Sequence, residues 1–171
     1  MPIVRDFRNY SFLPARVDRC GRNVGAKLYW KLYAIENTIR VVIHSVLSVQ
    51  IGANWWNVAV DQDIAARAQA FRRNYAARPQ NANPGIHDIH LVYLRDLTEI
   101  IRANSNFFTP IVPNTNHWIT ILEGIRIPRN LVGHMNFPNT FDGMAIESAY
   151  AQLNLLLDDL KAYPILISIP R

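Results

Sequence analysis

The 171-residue chain contains one cysteine, Cys20. No internal disulfide can form, so a scaffold held by disulfides is excluded and a reducing, cytoplasmic setting is expected. No apolar run approaches the roughly 18 residues that cross a bilayer, so no membrane partner is expected. The amino-terminal stretch MPIVRDFRNYSFLPARVDRCGR has no apolar segment of the secretory kind. Glycines number only seven and form no phosphate-cradling loop. Internal repeats, low-complexity tracts and period-two alternation are also missing, and the last of these argues against strands.

Acid is in short supply: 13 Asp and Glu stand against 18 Lys and Arg, giving a net charge of +5 and a pI near 9.7. Such a balance attracts polyanions, nucleic acid among them. Seven of the basic residues lie in residues 1–31, against Asp6 and Asp18. Arg67, Arg72, Arg73 and Arg78 form a second group on one predicted helix and are candidate RNA contacts.

Half of the residues are hydrophobic. A chain of this length buries about 70% of its unfolded surface, enough for one self-sufficient domain. Residues 1–22, with Pro2, Pro14 and Gly21, read as an irregular basic arm, and 23–171 as a single helical domain. From Ala26 to Gln50, Leu28, Leu32, Ile35, Ile39, Val42, Ile43 and Val46 recur at three- and four-residue steps, the period of a helix. A second helix is expected from Asp61 to Ala77, before the loop RPQNANPG. A third begins at Asp88, read as its cap, and carries Leu91, Leu94, Leu97, Ile100 and Ile101. A fourth starts at Thr115 or Asn116 and carries Trp118, Ile121, Leu122 and Ile125. A fifth runs from Asp142 through Ile146, Tyr150, Leu153, Leu156 and Leu157 to Tyr163-Pro164, before a short extended tail, ILISI. The expected fold is an all-α antiparallel bundle of about five helices.

His87-x-x-His90 has the spacing of a metal pair, but a metal site needs three or four ligands, and Asp88 is read as a cap. No metal and no cofactor is expected. Trp55-Trp56 reads as half-buried packing rather than a stacking platform for bases. The stretch RIPRNLVGHMNFPNT, residues 126–140, is unlike the rest. On a helix Arg126, Asn130 and His134 fall on one stripe, with Arg129 about 100° away. Pro128 is expected to kink the helix and Gly133 to end it, leaving His134 exposed in or just past the last turn. Glu123 is the only acid nearby in sequence. Arginine with histidine suits RNA cleavage by 2′-hydroxyl attack: imidazole exchanges a proton near neutrality and guanidinium steadies charge on phosphorus oxygens.

RNLVGH resembles the Arg-x4-6-His motif of the HEPN superfamily in its Arg-Asn-x-x-x-His form. LYWKLYAIENTIRVVI resembles that family's first helix, and VYLRDLTEIIRANSNFF with the order Trp118, Arg129-Asn130, His134, Asp142 resembles one of its subgroups, over roughly residues 25–163. The resemblance implies an all-α, homodimeric, metal-independent endoribonuclease, a toxin or antiviral defence effector with an antitoxin or other regulatory protein as partner. It implies that Arg129 stabilises the scissile phosphate, His134 moves the proton and Asn130 orients, with support from Arg126 and from Glu36, Asn37 or Arg40 on the first helix. The alternative is a HEPN module that binds RNA or protein without cleaving. Pro128 before the motif arginine, and Asn136 where the branch paired with nucleotidyltransferase antitoxins carries Tyr, depart from the family pattern. The apolar faces around Ile35, Ile39, Trp118 and Ile125 are expected to contribute part of a dimer interface.

Overall fold

The computed structural model describes residues 6–78, 80, 84–112, 114–161 and 169, without the side chains of 159 and 161. Among the described residues the regular structure is helical, with no strand. The α-helices of the described residues are α1 (Pro14–Val24), α2 (Trp30–Ile51), α3 (Trp55–Ala59), α4 (Gln62–Ala76), α5 (Leu94–Ala103), α6 (Ser105–Phe108), α7 (Thr115–Gly124), α8 (Arg126–Gly133) and α9 (Thr140–Lys161). The end of the fifth expected helix near Tyr163-Pro164 lies outside the described residues, as does nearly all of the ILISI tail.

The central element is α2. Its buried side chains include Leu32, Ile35, Glu36, Ile39, Val42, Ile43, His44, Val46 and Leu47. Burial on so many faces leaves little amphipathic contrast, the mark of a helix with neighbours on several sides. It packs against α3, α5, α6 and α9. It stops at Gly52, whose φ of 104° lies in the region open to glycine and whose N–H donates to the Ser48 carbonyl at 3.0 Å.

The segment read as an irregular arm is helical from Pro14 onward. Proline at the first helical position loses no hydrogen bond there. Val17, Cys20 and Val24 repeat at three- and four-residue steps, while Arg16, Arg19 and Arg22 occupy other faces. A π-helical turn, Gly25–Tyr29, joins α1 to α2.

The third helix starts later than expected. Asp88 does not cap it; its carboxylate accepts Arg72 Nε at 2.7 Å and Gln69 Nε2 at 2.5 Å. Residues Asp88–Leu91 form a 3-10 turn capped by His87, whose Nδ1 accepts the Ile89 N–H at 3.2 Å. The α-helix begins at Leu94, after Asp96 accepts the Tyr93 N–H at 3.2 Å. At α9 the cap is Asn139: its side chain accepts the Asp142 N–H at 2.9 Å and Asp142 accepts the Asn139 N–H at 2.9 Å, a reciprocal box.

Ile35, Ile39, Trp118 and Ile125 are 1%, 2%, 7% and 2% exposed. They face the core of their own chain, which corrects the expectation that these faces are left for a dimer interface. The α2 and α7 faces each pack against α5 and α9, neighbours that their separation along the sequence conceals.

Candidate active site around Arg129 and His134

The break between α7 and α8 falls at Ile125 (φ −95°, ψ 0°), three residues before Pro128. Pro128 supplies no N–H and its ring clashes with the carbonyl four residues back, at Gly124, so the disruption appears upstream of the proline itself. Pro128 then sits in the first turn of α8, where a missing donor costs nothing. The helix ends in a Schellman motif: Asn136 N–H donates to Leu131 O at 2.8 Å and Met135 N–H to Val132 O at 3.1 Å. The left-handed residue that the motif requires is Met135, at φ 58°, and not Gly133. Gly133 has another use: a Cβ there would lie 3.3 Å from Arg129 Nη1, so the bare backbone makes room for the guanidinium.

Arg129 turns inward, where Glu36 of α2, itself 8% exposed, receives it. Arg129 Nε donates to Glu36 Oε1 at 2.5 Å and Nη2 to Oε2 at 3.4 Å. Arg40 Nη2 donates to the same Oε2 at 3.1 Å and to Val92 O at 3.0 Å, while its Nε reaches Ile89 O at 3.2 Å. Arg40 Nη1 donates to Asn37 Oδ1 at 3.3 Å, and Asn37 Nδ2 to Tyr33 O at 2.8 Å. Burial pushes the Arg40 pKa down from its ordinary value, and Glu36 opposes that shift. One carboxylate faces two guanidiniums, so the cluster keeps one net positive charge. Arg129 remains 22% exposed at its side chain, against 11% for Arg40. Of the three α2 residues singled out from the sequence, Glu36 bonds Arg129, Arg40 shares the Glu36 carboxylate and Asn37 bonds Arg40.

Asn130 and His134 are exposed, and His134 directly follows the last residue of α8, its N–H donating to Asn130 O at 2.9 Å. Arg126 is exposed too, with Glu123 3.7 Å from its Nε. The arginines of α4 divide. Arg67 pairs with buried Asp96 at 2.6 Å and Arg72 with Asp88, also donating to the carbonyls of Gly85 and Ile86, so these two tie α4 to the chain. Their partners lie 29 and 16 residues away, out of reach of a local reading. Arg73 and Arg78 are exposed.

Sequence reasoning missed Tyr93. The Arg129 guanidinium lies 5.7 Å from its ring centroid, a cation–π contact, and Phe71 of α4 meets the same ring edge-on at 5.4 Å. A half-exposed tyrosine just before a helix carries no local signal of such a role.

Among the described residues no group of three or more His, Cys, Asp or Glu that could hold a metal ion forms around His87 and His90. His87 instead stacks on Trp55 at 5.1 Å and meets His44 at 5.0 Å, while Trp55 Nε1 donates to His44 Nδ1 at 3.2 Å. Trp55 and Trp56 are buried, more deeply than the half-burial expected.

No family model, curated protein or solved structure matches this chain. Among the described residues, no helix is long and apolar enough to cross a membrane.

Proposed function

We propose that this chain is a metal-independent endoribonuclease of the HEPN kind. The observation that carries the reading is the two-point contact between Arg129 and buried Glu36, which presents one arginine from the same short helix that exposes Asn130 and ends at His134. A guanidinium with its orientation already set loses little freedom on meeting a phosphate, and preorganised charge is usually the largest catalytic contribution. In the reaction the RNA 2′-oxygen gives up its proton and attacks phosphorus. The phosphorus–5′-oxygen bond breaks, and the leaving oxygen takes up a proton. The products are a 2′,3′-cyclic phosphate and a 5′-hydroxyl. Arg129 Nη1 steadies the phosphorane oxygens, His134 moves a proton and Asn130 orients.

Two protons move and each chain offers one His134, so a homodimer that faces the two motifs supplies both imidazoles. Exposed Ile127, Met135, Phe141 and Met144, all within 18 residues around His134, support an interface there rather than on the buried faces of α2 and α7. A toxin or defence role, with an antitoxin or regulatory partner, follows only from the resemblance. A second reading, a module that binds RNA or protein without cutting, draws on the same contact: Glu36 occupies two of the three Arg129 nitrogens.

The test is incubation of the purified protein with mixed RNA in EDTA. Cleavage leaving cyclic phosphate ends is expected, and His134→Ala should slow it about 10²–10⁴-fold without unfolding an exposed site. Strict dependence on added Mg²⁺ or Mn²⁺ would defeat the reading. RNA shifted in a gel but left intact would favour the binding module.

A further inference from the structure

Beside His134 lies a groove of about 410 Å³ between α1, the π-helical turn and the segment that follows α8. Phe7, Tyr29 and Phe137 give it aromatic walls, and Met135 and Asn136 bring it to the two residues directly after His134. Gly21 and Gly25 also line it, four residues apart. A Cβ at either glycine would meet nothing within 4 Å, so packing demands neither of them. Each glycine weakens a helix relative to alanine. What both omissions achieve is an open groove. The π-helical turn at Gly25–Tyr29 lies on the same wall, and such turns often mark functional sites.

We propose that this groove receives one base of the RNA, the base next to the cleaved phosphate; this rests on the ribonuclease reading above. Aromatic walls accept the face of any base, and the exposed side-chain amide of Asn136 can both donate to and accept from a base edge. The surroundings favour a polyanion: of the six basic side chains in described residues 6–31, Arg8, Arg22 and Lys31 pair with Asp6, Asp18 and Glu147, which leaves the net charge of Arg16, Arg19 and Lys27. Met135 and Asn136 directly follow His134, so a base seated against them would leave its own phosphate near the end of α8. Asn136 is then a specificity residue.

The experiment uses the full-length His134→Ala protein, in which nothing is cut, and the amide resonances of Gly25 and Asn136. The probes are the four ribonucleoside 3′-monophosphates, ribose 5-phosphate and N-acetylphenylalanine amide. At least one nucleotide should shift both resonances saturably and bind about tenfold or more tighter than ribose 5-phosphate. Gly21→Leu, which puts a side chain into open space, should abolish that preference while leaving thermal stability equal or higher. No shift with any nucleotide, or equal binding of ribose 5-phosphate, would overturn the proposal. So would a response to N-acetylphenylalanine amide alone, which would assign the groove to a protein segment. In wild-type protein, cleavage of random-sequence RNA without base preference would likewise overturn it, with the ribonuclease reading intact. Base binding in a protein that never cuts RNA would retain the pocket and remove the nuclease.

Discussion

Two polar clusters are built on α2 eight residues apart, around Glu36 and around His44, and they meet burial in opposite ways. At Glu36 the charges are kept: one carboxylate is clasped by Arg129 and Arg40, and backbone carbonyls and the Asn37 side chain accept from Arg40 as well. At His44 the charges are shed. Burial, followed by the charge of a neighbouring histidine, holds His44 below its ordinary range and pushes His87 down to about 4, although Asp88 pulls His87 the other way. The difference lies in the counter-ions. Glu36 has two guanidiniums to itself, whereas the Asp88 carboxylate is already engaged by Arg72 and Gln69. A buried ionisable group stays charged only where a partner offsets its lost hydration. The first cluster therefore projects charge toward the motif, and the second is neutral packing around Trp55.

The largest expected effect comes from breaking the clasp. Glu36→Ala strands two guanidiniums and should cost about 3–5 kcal/mol, read as a fall in unfolding midpoint. An unchanged midpoint would mean that Glu36 is not a structural counter-ion. Arg129→Lys keeps the charge but loses the fork, so RNA cleavage in EDTA should drop by about 3–4 kcal/mol of transition-state stabilisation. Full activity in that variant would transfer the role to Arg126.

The neutral cluster should be revealed by acid. A histidine with a folded pKa near 4 and an ordinary value of 6.5 binds protons more readily when unfolded. Its contribution is complete above pH 6.5 and is lost as pH falls toward 4. Allowing for solvent screening of a half-exposed ring, the loss should be on the order of 1–2 kcal/mol. His87→Asn, which can still accept the Ile89 N–H, should flatten that slope; an unaltered slope would place the acid sensitivity elsewhere. The smallest effect is expected at Met135, where a left-handed backbone strains any side chain. Met135→Gly should stabilise by about 1 kcal/mol in denaturant titration. Destabilisation there would show that the exposed side chain makes contacts of its own in solution.

Much of this was legible in one dimension. The steps from Leu28 to Val46 marked α2 because burial of a helix repeats every three or four residues. RNLVGH was visible because its parts are contiguous, and the exposure of His134 followed from its place at a helix end. The helix at Pro14 was hidden because Pro14 and Gly21 resemble breakers, and because three arginines stand against one buried apolar residue, Cys20. The ion pairs of Arg67 and Arg72 were hidden because a charged helical face looks the same whether it meets water or a distant aspartate.

The sequence by itself determined the helical class, most helix positions and the Arg129–His134 spacing, since each depends on neighbours within a turn or two. Tertiary structure decided which of Glu36, Asn37 and Arg40 would hold Arg129, that Tyr93 would lie beneath it, and that α1 would form a groove wall beside His134. Those outcomes join residues 93 positions apart and more. Ion pairing, ring stacking and cavity shape depend on distances in space, and periodicity along the chain carries no record of them.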